Sequence, residues 1–94
     1  MDRKPARWMC TLDERILEHL GNRSWETPGT ISTVLKFNAS KSRVEERCEM
    51  LAQAGLVAPI YEDAGMYEIT SDGEQYLSGE LDAGNIPQPS VQTV

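Results

Sequence analysis

An α+β fold with a three-helix core, a two-stranded hairpin and one extra C-terminal helix is predicted by three features of the chain. The stretch SKSRVEERCEMLAQAG begins at Ser40 and ends at Gly55, with an apolar stripe at Val44, Cys48 and Leu51. LVAPIY and MYEIT follow as two short strand-like runs around the turn EDAG. Two further segments with helical periodicity precede them. Helix then hairpin, after two helices, is the outline of a winged helix-turn-helix. The expected organisation is a basic arm over residues 1–10, the folded domain over 11–82 and a flexible tail over 83–94.

Each element has its own signals. Thr11 is an expected N-cap, with Glu14 three residues on completing a capping box. Leu12, Ile16, Leu17 and Leu20 then share one helical face, and Gly21 closes the helix. Thr27 followed by Pro28 starts a second helix. It is expected to run to about Lys36, with Ile31, Val34, Leu35 and Phe37 inward. Asn38-Ala39-Ser40 makes the turn into the third helix. Gly55 supplies the left-handed stop that releases the chain into the first strand. Pro59 has no N–H to donate, so its strand needs an open side there. Thr70 or Ser71 caps the last helix, which turns Tyr76 and Leu77 inward.

Composition narrows the function. The chain has 94 residues, enough for one domain that buries about 60–65% of its unfolded surface. No apolar run reaches the roughly 18 residues that a membrane span needs. The N-terminus lacks the apolar stretch of a secretory signal, so a cytoplasmic location is expected. One histidine and two dispersed cysteines give no metal or redox spacing, and no nucleophile and base pair is suggested. Neither an enzyme, nor a cofactor, nor a small-molecule substrate is expected. Cys48 lies on a buried stripe and reads as packing. Cys10 is more exposed, and an inter-subunit disulfide through it is the less favoured reading.

Charge is unevenly distributed. Fifteen acidic and nine basic residues give a net charge of −6, and every Lys and Arg lies at or before Arg47. A sequence pI near 4.6 is unusual for a nucleic-acid binder. High salt reconciles the two, because at molar ionic strength the Debye length is only about 3 Å. A halophilic setting is therefore expected.

The third helix carries the leading functional reading. Side chains near the start of a helix in the major groove read base edges. Here these are Ser40, Lys41, Ser42, Arg43 and Glu46, with Arg47 further along. Arg43 suits guanine and Glu46 suits cytosine. The plainer alternative is a surface helix whose arginines pair with its own glutamates. Thr27, Thr30 and Lys36 are candidate phosphate contacts, although Thr27 also fits a simple N-cap. Arg3, Lys4 and Arg7 either track phosphate or reach a minor groove, or belong to a disordered solvated end. On this reading, alanine at Arg43 or Arg47 weakens DNA binding and leaves the melting temperature nearly unchanged. The hairpin tip, Glu62-Asp63-Ala64-Gly65, has two acids and no base, which leaves its contact with DNA open.

WMCTLDERILEHL, WETPGTIS, SRVEERCEMLAQAGLVAPI and MYEITSDGEQYLSGELD together span Trp8 to Asp82. In these segments the chain resembles the haloarchaeal winged-helix regulators likened to the phage phi-H repressor. The resemblance implies a transcriptional regulator, a dimer on double-stranded DNA, a salt-rich cytoplasm, and Ser40 to Arg47 as the recognition surface. A winged helix that binds protein rather than DNA is the alternative, favoured by the acidic second half.

Overall fold

The computed structural model describes residues 2–22, 25–34, 40–60 and 65–89. Helix α1 spans Thr11–Gly21, α2 Pro28–Val34, α3 Lys41–Gln53 and α4 Ser71–Ser78. Strands β1, Val57–Pro59, and β2, Tyr67–Ile69, pair antiparallel between α3 and α4. The expected order of elements is therefore observed. The expected positions of Leu35, Lys36, Phe37, the turn residues Asn38 and Ala39, and the tip residues 62–64 lie outside the described residues.

The predicted stripes meet in one core. Ile16, Leu17 and Leu20 of α1, Ile31 of α2, and Val44, Cys48 and Leu51 of α3 are all fully buried. Leu56, Val57, Tyr76 and Ala83 complete the cluster. Burial raises the Cys48 thiol pKa to about 12, so it stays protonated and unreactive at neutral pH. A soluble alkylating reagent is expected to label half-exposed Cys10 in the native protein and Cys48 only after unfolding. Equal native labelling of both would contradict this packing.

Helix α3 stops where Gly55 adopts φ +85°, a conformation costly for residues with a Cβ. The Gly55 carbonyl accepts a hydrogen bond of 2.6 Å from the Thr70 hydroxyl, which in turn accepts from the Gly73 N–H. One threonine thus caps α4 and fastens its start to the end of α3. Glu26 exchanges two 2.9 Å backbone hydrogen bonds with Tyr67 on the side of β2 away from β1. Strand β2 is therefore central and β1 is the edge. Tyr67 turns its backbone groups toward Glu26, so the nitrogen of its other neighbour, Pro59, faces the open edge.

Three expectations need correction. The N-cap of α1 is Cys10, not Thr11, and Asp13 rather than Glu14 accepts from the cap backbone N–H at 3.0 Å. Glu14 instead accepts from the Tyr76 hydroxyl. The arm is not a free end: Ala6 is buried, and the Lys4 carbonyl accepts from the Ala83 N–H at 2.9 Å. Nor does a flexible tail begin at residue 83. Ala83–Asn85 form a 3-10 turn, and the Ile86 carbonyl accepts from the Trp8 indole N–H at 3.3 Å. The arm and this turn hold each other, through contacts too far apart in sequence for periodicity to reveal.

Candidate nucleic-acid interface

Ser40 takes an extended backbone conformation and its hydroxyl accepts from the Arg43 N–H at 3.1 Å, which fixes the start of α3. Ser40, Lys41, Ser42 and Arg43 are exposed, whereas Val44 is wholly buried. The first turn of α3 thus faces outward. Lys41 Nζ lies 3.8 Å from Glu45, and Arg43 Nη1 lies 3.2 Å from Glu46. These are surface pairs between one helix turn and the next, worth about 0.3–0.5 kcal/mol each. Such side chains can leave one partner for another at little cost.

Helix α2 lies directly against this surface. The methylenes of Lys41 pass over Gly29, with Lys41 Cδ 3.7 Å from where a Cβ on Gly29 would be. The Thr27 hydroxyl accepts from the Thr30 N–H at 3.2 Å, so Thr27 is the expected N-cap, and Thr30 is exposed beside it. A shallow groove lined by Thr27, Pro28, Gly29, Lys41, Glu45 and Gly65 joins the starts of the two helices to the hairpin. A second groove between α3 and the hairpin is lined by Pro28, Glu45, Glu49, Pro59, Gly65, Met66 and Tyr67. Two glutamates face the space beside the wing, so the cationic part of the surface lies toward Lys41 and Arg43.

Arg47 does not belong to this surface. It is 6% exposed, and its guanidinium meets Asp13 of α1 through Nε–Oδ1 at 2.7 Å and Nη2–Oδ2 at 2.5 Å. Nη2 also donates to the Trp8 carbonyl at 3.0 Å, and Nη1 to the Met50 sulfur at 3.1 Å. The hydrogen bonds to Asp13 hold the Arg47 pKa above its ordinary value. The expectation that Arg47 meets DNA is thus corrected, and its loss is now expected to cost stability, because a buried ion pair would lose one partner. Four residues beyond Arg43, the helix has turned this position onto α1.

The arm residues are also placed apart from Lys41 and Arg43. Arg3 donates to Glu18 at 2.8 Å, to Glu14 at 3.5 Å and to the Leu77 carbonyl at 3.1 Å. This engagement with α1 and α4 corrects its reading as a phosphate contact. The same hydrogen bond from Arg3 holds the Glu18 carboxyl below its usual range. Lys4 and Arg7 are exposed, but their segment is tied to the turn after α4 and, through the Trp8 carbonyl, to Arg47 of α3, not to the outward first turn of that helix. The structure therefore brings together Ser40, Lys41, Ser42, Arg43, Glu46, Thr27 and Thr30. Asp13 is the structurally decisive residue that sequence reading passed over. The signal was present, since positions 13, 16, 17 and 20 share one helical face.

Among the described residues, no group of three or more His, Cys, Asp or Glu side chains is placed to hold a metal ion. No described helix is long and apolar enough to cross a membrane.

A capped third helix presented outward, packed on a short second helix and followed by a two-stranded hairpin, defines a winged helix-turn-helix domain. This chain belongs to the winged helix-turn-helix phage repressor family, whose model matches residues 1–88. That span includes the arm and the 3-10 turn. The chain is 30% identical over 83 residues to the repressor protein of Halobacterium phage phiH, covering 86% of this chain and 92% of that protein. Its structure superposes on the crystal structure of the PhiH1 repressor-like protein from Haloarcula marismortui with a TM-score of 0.84. Identity there is 35%, covering 94% of this chain and 98% of the other. The family is one of repressor-type regulators rather than enzymes.

Proposed function

We propose that the protein is a sequence-specific DNA-binding regulator, a repressor, that reads the major groove with the first turns of α3. The observation that carries this reading is the outward face of Ser40, Lys41, Ser42, Arg43 and Glu46, backed by wholly buried Val44. Arg43 addresses guanine and Glu46 cytosine, while Thr27, Thr30 and Lys41 stand to phosphate. Lys36 remains a candidate phosphate contact by its place in the sequence. Arg43→Ala is expected to weaken binding to a selected duplex about tenfold or more. Its thermal stability should change by no more than about 0.5 kcal/mol. Fluorescence anisotropy and a melting curve on the same preparation measure both. Unchanged affinity would remove Arg43 from the interface.

The finer reading is a homodimer working at high salt inside the cell. Principal extents of 30 × 29 × 27 Å let two copies sit side by side with their α3 helices about one DNA turn, 34–36 Å, apart. Sedimentation with and without duplex tests the assembly. Fifteen acidic residues against nine basic support the salt adaptation, as do relatives from Haloarcula and a Halobacterium phage. Counterion release loses its force at molar salt, so base contacts must carry the affinity. The expected plot of log affinity against log salt is shallow, equivalent to only two or three released ions, on the order of the exposed cations at the interface. A slope of lac-repressor steepness, near −10, would contradict this. Absence of binding to any duplex at every salt would favour a protein-binding winged helix instead.

A further inference from the structure

The Asp13–Arg47 pair poses a question that stability does not answer. Arg47 is 6% exposed and Asp13 fully buried, so both charges have been withdrawn from water. Apolar residues of similar volume commonly serve such a place equally well or better. What an apolar pair does not supply is direction. The two N–H···O bonds, at 2.7 and 2.5 Å, join the guanidinium and carboxylate as a bidentate pair, which adds geometric specificity to the contact. Arg47 is therefore a rotational stop for α3 against α1. It also has a second anchor, because Nη2 reaches the Trp8 carbonyl at 3.0 Å. Trp8 is itself held by the Ile86 carbonyl, which ties the stop to the strap formed by the arm and the final turn.

Arg43 lies one helical turn before Arg47, and Glu46 is its immediate neighbour. A small rotation of α3 about its axis would swing both side-chain tips away from their targets. Recognition geometry tolerates only about 0.5 Å or 10–20° of such error. Resting on the DNA-reading function proposed above, we infer that Asp13 and Arg47 are positioning residues for base recognition. Their buried pair fixes the rotation of α3 and so aims Ser42, Arg43 and Glu46 at the base edges. Neither residue touches DNA.

The test compares wild type with the double variant Asp13→Leu/Arg47→Met, which replaces the pair by apolar side chains. Four quantities are measured well below both melting temperatures. They are affinity for a selected duplex, affinity for the same duplex with two base pairs changed, and the salt slope of each. The positioning role predicts that discrimination between the duplexes falls at least tenfold. Affinity for the altered duplex and both salt slopes should stay as in wild type. Undiminished discrimination in the folded double variant overturns the inference. So does a slope lower by about one ion, the signature of a direct phosphate contact.

If the double variant does not fold, Arg47→Lys takes its place. Lysine keeps the charge but cannot grip both carboxylate oxygens in a planar fork. The same loss of discrimination is then expected, and wild-type discrimination again overturns the role. Wild-type protein that selects no duplex fails at the earlier step, before any variant is made. That result rejects the DNA-reading function itself.

Discussion

Arg47→Ala is expected to destabilise the domain by about 3–5 kcal/mol, the usual cost of removing one partner from a buried ion pair. Three losses combine. Asp13 is 0% exposed and would keep a buried carboxylate without its charge partner. The Trp8 carbonyl would lose its donor, and the contact between arm and α3 would go with it. A cavity would open where the long side chain lay against Met50. A domain of this size has about 5–15 kcal/mol in total, so the loss is a large fraction of its stability. In a melting curve it corresponds to a drop on the order of 15 °C or more. Arg43→Ala is the matched control, with its side chain 47% exposed and paired to Glu46 on the surface. Urea denaturation of both variants measures the contrast. Equal small losses would mean that Arg47 is not part of the buried framework.

The second large effect is expected at Gly73, on the buried side of α4. A Cβ added there would fall 2.2 Å from the Leu56 carbonyl oxygen and 2.6 Å from Ile69 Cγ1. Two effects oppose each other in Gly73→Ala. Alanine favours the helix by about 1 kcal/mol over glycine. The clash works against it, and its nearest atom is backbone, which cannot rotate aside as a side-chain end can. Overpacking of this kind costs about 1–3 kcal/mol, and more when backbone must move. The Leu56 carbonyl also accepts from the Thr70 N–H at 3.1 Å, so a shift there disturbs the α4 cap as well. The clash should win, with a net loss of about 2 kcal/mol or more seen in denaturant unfolding. A variant as stable as wild type would show that α4 does not approach the sheet so closely.

The sequence made the helices legible because their apolar residues recur at helical spacing and their ends carry recognisable caps. Thr27, Ser40, Gly55 and Thr70 act in the structure as their types suggested. Asp13 and Arg47 are harder to read because charged side chains are almost never fully buried unless paired. Yet 13-16-17-20 and 44-47-48-51 are both unbroken inward faces. Opposite charges on two such faces signal a buried pair, provided the two helices are known to pack together. That packing is a tertiary fact, as is the seating of Trp8 against Ile86, 78 residues away. The one-residue error at the start of α1 has a local cause. Thr11 and Glu14 match the capping pattern, but Asp13, directed inward by Arg47, takes the cap backbone instead. For the candidate interface, the first turn of α3 was legible through Ser40 and the inward stripe. The position of the arm was not.

Base reading by the first turn of α3 is put to the test by selecting duplexes from a random library at molar KCl, with wild type and Arg43→Ala side by side. Wild type is expected to enrich one site, and the variant to lose preference at a single guanine position within it. No enriched site, or an identical site from both proteins, would contradict base reading by the exposed face of α3.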